Sequence, residues 1–258
     1  MEGYWYSVRQ NFSFSRTELS QLFWTSLAFG FALSFRKWGG DVFDFKVGIL
    51  NLLFYSAAVF FSMYVHVSLQ KLIGIRLGYK VTYNYWLNGL LFTIFLSFLS
   101  IGYIAFLLPG SVVLEHIPKL RLGKFRYGFN LKDIARISLA GPIAHIVLVM
   151  IIGSVFFITE YNEAVLAIIF INLLLAIYSM FPIPKIDFPS KMDTATDGLG
   201  IFFFSRTLYV LVFITVLVFS LLTYTSITVT SLGWLFVISL FIGIVVSALY
   251  SIYVEQKN

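Results

Sequence analysis

Seven apolar stretches dominate this chain: Leu19–Phe35, Val47–Leu69, Tyr85–Leu108, Ile134–Ile158, Ala164–Phe181, Thr207–Tyr224 and Val229–Tyr253. Each is long enough, or nearly so, for an α-helix to cross the roughly 30 Å hydrocarbon core of a bilayer, which takes about 20 mostly apolar residues. Lipid offers the backbone no hydrogen-bond partners, so spanning segments must be helices or closed barrels. The expected fold is therefore an all-α polytopic membrane protein. Composition agrees, with 59% hydrophobic and only 12% charged residues among 258 and a mean hydropathy of +0.90. A soluble domain carries about 25% charged residues. The absence of cysteine excludes disulfides and thiolate metal sites. Met1–Arg16 is polar and aromatic without a compact apolar core, so it does not read as a cleavable leader. The net charge of +6 lies in short loops, which points to anionic lipid beside cytoplasmic loops and not to nucleic acid.

Lysine and arginine placement discriminates between topologies. If all seven segments cross, the two sides receive 5 and 13 basic residues; if Tyr85–Leu108 enters and leaves on one side, they receive 3 and 15. The second arrangement obeys the positive-inside rule better. It predicts about six crossings, both termini in the cytoplasm, and one re-entrant element. Asn84, Asn88, Gly102 and the Pro109-Gly110 pair suit such an element, although a plain seventh span stays open. The stretch FSFSRTELSQLF should begin in the membrane interface, with Phe12, Phe14 and Leu19 dipping inward.

One short segment carries chemical interest. Residues 66–81 read HVSLQKLIGIRLGYKV. Positions four apart share a helix face, so a His-x-x-x-His pair can hold one zinc ion while a glutamate after the first histidine serves as base. Here His66 occupies the first position, Val67 the base position and Gln70 the second ligand position. The segment resembles the HExxH helix of the site-2 proteases, which are intramembrane zinc metalloproteases, with Gly78 where that helix usually ends. PGSVV at 109–113 resembles the family's PGAV-type strand, and LAGPIAH at 139–145 its GPxxN motif, with His145 in place of asparagine. INLLLAIYSMFPIP at 171–184 resembles the helix ending in FNLxPxPPLDG, and DGLGIFFFSRTLY at 197–209 the stretch after the LDG aspartate. The resemblance covers roughly residues 66–209. It implies a site-2-protease-like core over 19–210 within a single membrane domain, preceded by an interfacial segment at 1–18 and followed by transmembrane helices at 211–258.

Departures from that pattern bear on function. Val67 cannot take a proton, Gln70 offers only an amide, and Ser179 stands where the family has a substrate-binding asparagine. The family's metal-ligating aspartate maps to Asp187, which keeps the PxP spacing, or to Asp197, which keeps the DG pair. A positioned base contributes typically 10²–10⁴-fold, and zinc lowers the pKa of bound water from 15.7 to about 7. With both impaired, peptide hydrolysis should be abolished.

The expected function is that of a catalytically inactive site-2-protease-like protein that binds or routes transmembrane segments, with no resident cofactor. His66, Gln70, His145 and Ser179 would line its groove, with His66, Asp187 and Asp197 as remnant metal positions. The plainer alternatives are a hydrogen-bonded structural role for His66 and Gln70, and solvated loops for His116 and for Asp187, Asp193 and Asp197. Two rival functions are an active protease with a zinc site rebuilt from His66, His145 and one aspartate, and a small-solute or ion carrier. Intramembrane charges are too scarce to favour the carrier. The expected partners are transmembrane segments and the lipid bilayer, and the expected location is the plasma membrane of a prokaryote.

Overall fold

The structure, a computed structural model, describes residues 2–39, 42–117, 130–159, 162–184, 196–227 and 230–255. The chain divides into two compact units, residues 1–128 with 184–195 and residues 129–183 with 196–258. Among the described residues, four helices are long and apolar enough to cross a membrane. Together with the apolar composition they make this a multi-pass, predominantly helical membrane protein.

The first unit contains α1 (Glu2–Asn11), α2 (Arg16–Ser34), α3 (Phe45–Leu77), β1 (Tyr79–Asn84), α4 (Leu87–Leu99) and β2 (Ser111–His116). A capping box opens α2: the Ser15 side chain accepts from the Glu18 N–H, and the Glu18 carboxylate accepts from the Ser15 N–H. Asp44 caps α3 by accepting from the N–H groups of Lys46 and Val47. At 33 residues α3 is about 50 Å long, well over the bilayer core. It ends at Gly78, whose φ of 85° is the left-handed conformation a helix C-terminus favours. The chain therefore turns directly into β1.

Strands β1 and β2 pair antiparallel, from Tyr79 opposite His116 to Asn84 opposite Ser111. Residues 85–110 thus leave and return at the same end of one hairpin. Between these feet, α4 runs outward for about 20 Å, and its C-terminal Phe98 packs on Phe31 and Phe35 near the far end of α2. The turn after α4 places Tyr103 under the Arg36 guanidinium, 3.9 Å from the ring centre. The remaining residues return without regular structure. Gly110 permits the closure, because a Cβ there would stand 2.2 Å from the Asn84 carbonyl oxygen.

The second unit contains α5 (Leu131–Ile158), α6 (Glu163–Ser179), α7 (Asp197–Phe204), α8 (Arg206–Ser226) and α9 (Leu232–Tyr250), the last continued by a π-helical turn over Ser251–Glu255. Its core gathers Val149 and Phe156 of α5, Ile169 and Leu173 of α6, Phe219 of α8, and Leu232 and Leu235 of α9. A neighbouring cluster joins Ala176 and Met180 to Ile201 and Val216. The small residues of SLAGPIAH are buried in α5, where they let neighbours approach closely.

Phe14 stacks on Tyr64, with ring centres 4.6 Å apart. Two expectations change. His116 is not in a loop; it ends β2 with its ring 5.0 Å from that of Tyr79. Asp197 is not a solvated loop residue, since it is buried in the first turn of α7. Asp187 and Asp193 lie outside the described residues.

Candidate functional site

The helix face that resembles a protease motif is sealed. Val67 is 0% exposed, Gln70 0% and His66 5%. One turn after Val67, Lys71 is equally enclosed, and its ammonium reaches Glu18 Oε1 at 2.7 Å with both side chains 4% exposed. Its other donors go to the carbonyl oxygens of Ser13 at 3.0 Å and Val81 at 2.9 Å. All three ammonium hydrogens are thereby used, and Phe14 covers the charge with its ring centre 4.6 Å away.

Glu18 is held as firmly. Its Oε1 also accepts from the Tyr83 N–H at 2.9 Å, and its Oε2 from the Ser15 N–H at 2.9 Å. Burial pushes its carboxyl up, but the Lys71 hydrogen bond, the two backbone donors and the Lys71 charge outweigh burial and bring it below the ordinary carboxylate value.

The pair has a consequence for the sheet. In an antiparallel ladder a residue directs its N–H and C=O together, either toward its partner strand or away from it. The Tyr83 N–H and Val81 C=O are taken by Glu18 and Lys71, so residues 81 and 83 point away from β2. The outer edge of β1 is therefore closed by a charged plug. Opposite them, Leu114 and Val112 point outward from β2, and among the described residues no third strand joins the two-stranded sheet. Tyr83 braces the foot of the hairpin, its hydroxyl accepting from the Gly110 N–H at 3.3 Å and lying 3.1 Å from Thr25 Oγ1.

In the second unit, His145 and Asn172 are both fully buried, with His145 Nδ1 3.0 Å from Asn172 Oδ1. The Asn172 amide nitrogen donates to the Ile168 carbonyl at 2.9 Å, so its oxygen faces the imidazole and His145 Nδ1 is the donor. Pro142, one turn earlier in α5, is likewise buried. Ser179 donates to the Ala176 carbonyl at 2.9 Å, which commits its hydroxyl to its own helix. Asp197 follows the N-cap Thr196, whose hydroxyl bonds the Phe181 carbonyl at 2.8 Å and fastens α7 to the end of α6. Its carboxylate sits where a helix N-terminus favours negative charge.

A catalytic zinc needs three protein ligands and an open position. The motif helix supplies one imidazole at His66 and one amide at Gln70, with valine where a base would stand. Among the described residues, no three His, Cys, Asp or Glu side chains come together as a metal-binding group. The donor set on this face does not fit zinc. His66 and Gln70 share a helix turn in the first unit, whereas His145, Ser179 and Asp197 belong to the second.

Sequence reading missed the Glu18–Lys71 pair. Half of its signal was visible, since Ser15-Arg16-Thr17-Glu18 is a capping-box sequence that marks where α2 begins. Nothing local shows that the same carboxylate meets a lysine 53 residues away. No protein-family model, no curated protein and no solved structure matches this chain.

Proposed function

We propose that this protein is a catalytically silent member of the site-2-protease type that holds partly unwound transmembrane segments without cutting them. The observation that carries the reading is the β1–β2 sheet. One edge is stoppered by Glu18 and Lys71, and the other carries outward-directed backbone groups at Val112 and Leu114. An exposed strand edge pairs with an extended peptide by main-chain hydrogen bonds. Such pairing is valuable at a membrane, where an unwound segment has no water to satisfy its backbone. The motif order over residues 66–209 supports the kinship, and Val67 and Gln70 support the silence. On this reading residues 85–110 form a re-entrant hairpin, α2, α3, α5, α6, α8 and α9 make six crossings, and both termini are cytoplasmic.

The test is Leu114→Pro. Proline removes an N–H directed away from β1, so the β1–β2 ladder keeps its bonds while the free edge loses a donor. Membranes carrying a photo-crosslinking residue at Val112 should yield adducts with transmembrane segments, uncut, and Leu114→Pro should deplete them severalfold. The same probe at Leu249, on the exposed face of α9, supplies the background. Cleaved adducts would refute the silence, and undiminished adducts in Leu114→Pro would refute the edge.

A further inference from the structure

Two cavities of the first unit adjoin along α2, away from the β2 edge. One is an apolar groove of about 580 Å³ walled by Trp24, Leu27 and Phe31 of α2 and by Leu87, Leu91 and Phe98 of α4. The other, about 850 Å³, lies at the turn between α2 and α3 and is lined by Arg36, Lys37, Asn51 and Asp44. A cluster of aromatic rings lies between them. The Phe31 and Phe98 rings meet at 5.6 Å, and those of Phe98 and Phe35 at 5.2 Å. Arg36 follows directly, anchored over Tyr103, while Lys37 Nζ lies 5.0 Å from the Tyr55 ring centre. Asn51 of the pocket and Leu52 of the groove are consecutive in α3. The Asp44 carboxylate accepts two backbone N–H groups at the α3 N-terminus, which draws its charge toward that helix.

Two cations at one end of an apolar trough complement an amphiphile with an anionic head. Depth identifies its size. From Trp24 to Arg36 is about 18 Å along the helix, close to half of the roughly 40–45 Å that a bilayer spans with its headgroups. The trough is one leaflet deep. Charge placement agrees. In the topology with 15 basic residues on one side, the three on the other are Arg36, Lys37 and Lys46, grouped between the end of α2 and the first turn of α3. The positive-inside rule disfavours them there. An anionic headgroup supplies a local reason for their presence.

We propose that this trough binds one anionic phospholipid from the leaflet at the Arg36 end, its phosphate on Arg36 and Lys37 and an acyl chain along Trp24–Phe31 and Leu91–Phe98. The site does not depend on the reading of the β2 edge. Detergent-purified protein titrated with palmitoyl-oleoyl phosphatidylglycerol, and separately with phosphatidylcholine of the same chains, should show in native mass spectra one anionic lipid retained at least tenfold better. Near a membrane surface each basic residue contributes about fivefold, so Arg36→Gln with Lys37→Gln should abolish that preference. Leu91→Trp, which fills the groove from an exposed position, should weaken both lipids. Equal retention of the two lipids, an unchanged preference in the double variant, or equally effective competition by inorganic phosphate would overturn the proposal. So would a photo-crosslinker at Leu91 that gives dimers or peptide adducts in place of lipid adducts.

Discussion

Replacing Lys71 by methionine would test the plug that closes β1. At 2.7 Å and an effective dielectric of about 20, the Glu18–Lys71 attraction is about 6 kcal/mol. Desolvating the two ions costs several kcal/mol each, so the intact pair adds little net stability. Removing one partner is different, because it leaves a carboxylate that is 4% exposed with only two backbone donors. The expected loss is about 3–5 kcal/mol at neutral pH. For a chain of this size that corresponds to a fall in Tm of about 10 °C.

The pH dependence distinguishes this cause from lost packing. In the wild type the Glu18 carboxyl is lowered, so its contribution is present above the unfolded value near 4.3 and disappears as pH falls through the folded value. In Lys71→Met burial dominates and the carboxyl titrates above its unfolded value. Protonation then relieves the penalty, and the gap to wild type should narrow as pH drops from 8 toward 5. Glu18→Gln combined with Lys71→Met should recover most of the loss. Equilibrium unfolding in mixed micelles, followed by tryptophan fluorescence across that pH range, measures all three proteins. A single variant as stable as wild type, or a double variant as unstable as the single, would refute the reasoning.

Three further outcomes are expected. The cysteine-free background makes single-cysteine labelling clean, and Lys80→Cys, Glu115→Cys and tags at both termini should all report the cytoplasm; termini on opposite sides would mean that Tyr85–Leu108 crosses. Protein purified without added metal should carry well under one zinc per chain, and Val67→Glu should cost about 2.5–3.5 kcal/mol because that position is fully enclosed; stoichiometric zinc lost on His66→Ala would restore the protease reading.

Features governed by neighbours in sequence were legible without a structure. The bilayer sets the length of an apolar segment locally, so long apolar helices such as Phe45–Leu77 and Leu131–Ile158 could be anticipated directly. A left-handed cap needs a glycine, and α3 does stop at Gly78. The strand expected at PGSVV is present as Ser111–His116. The spacing that places His66 and Gln70 on one helix turn was equally local, and so was the absence of a base at Val67. What required the tertiary structure was every interaction between distant residues. Glu18 with Lys71, His145 with Asn172, and Tyr79–Asn84 with Ser111–His116 are each brought together by packing. Buried polar groups must find partners wherever the fold supplies them. No periodicity encodes that search. An apolar run also does not state what its two ends meet; for residues 85–110 the fold pairs Asn84 with Ser111, on either side of the run.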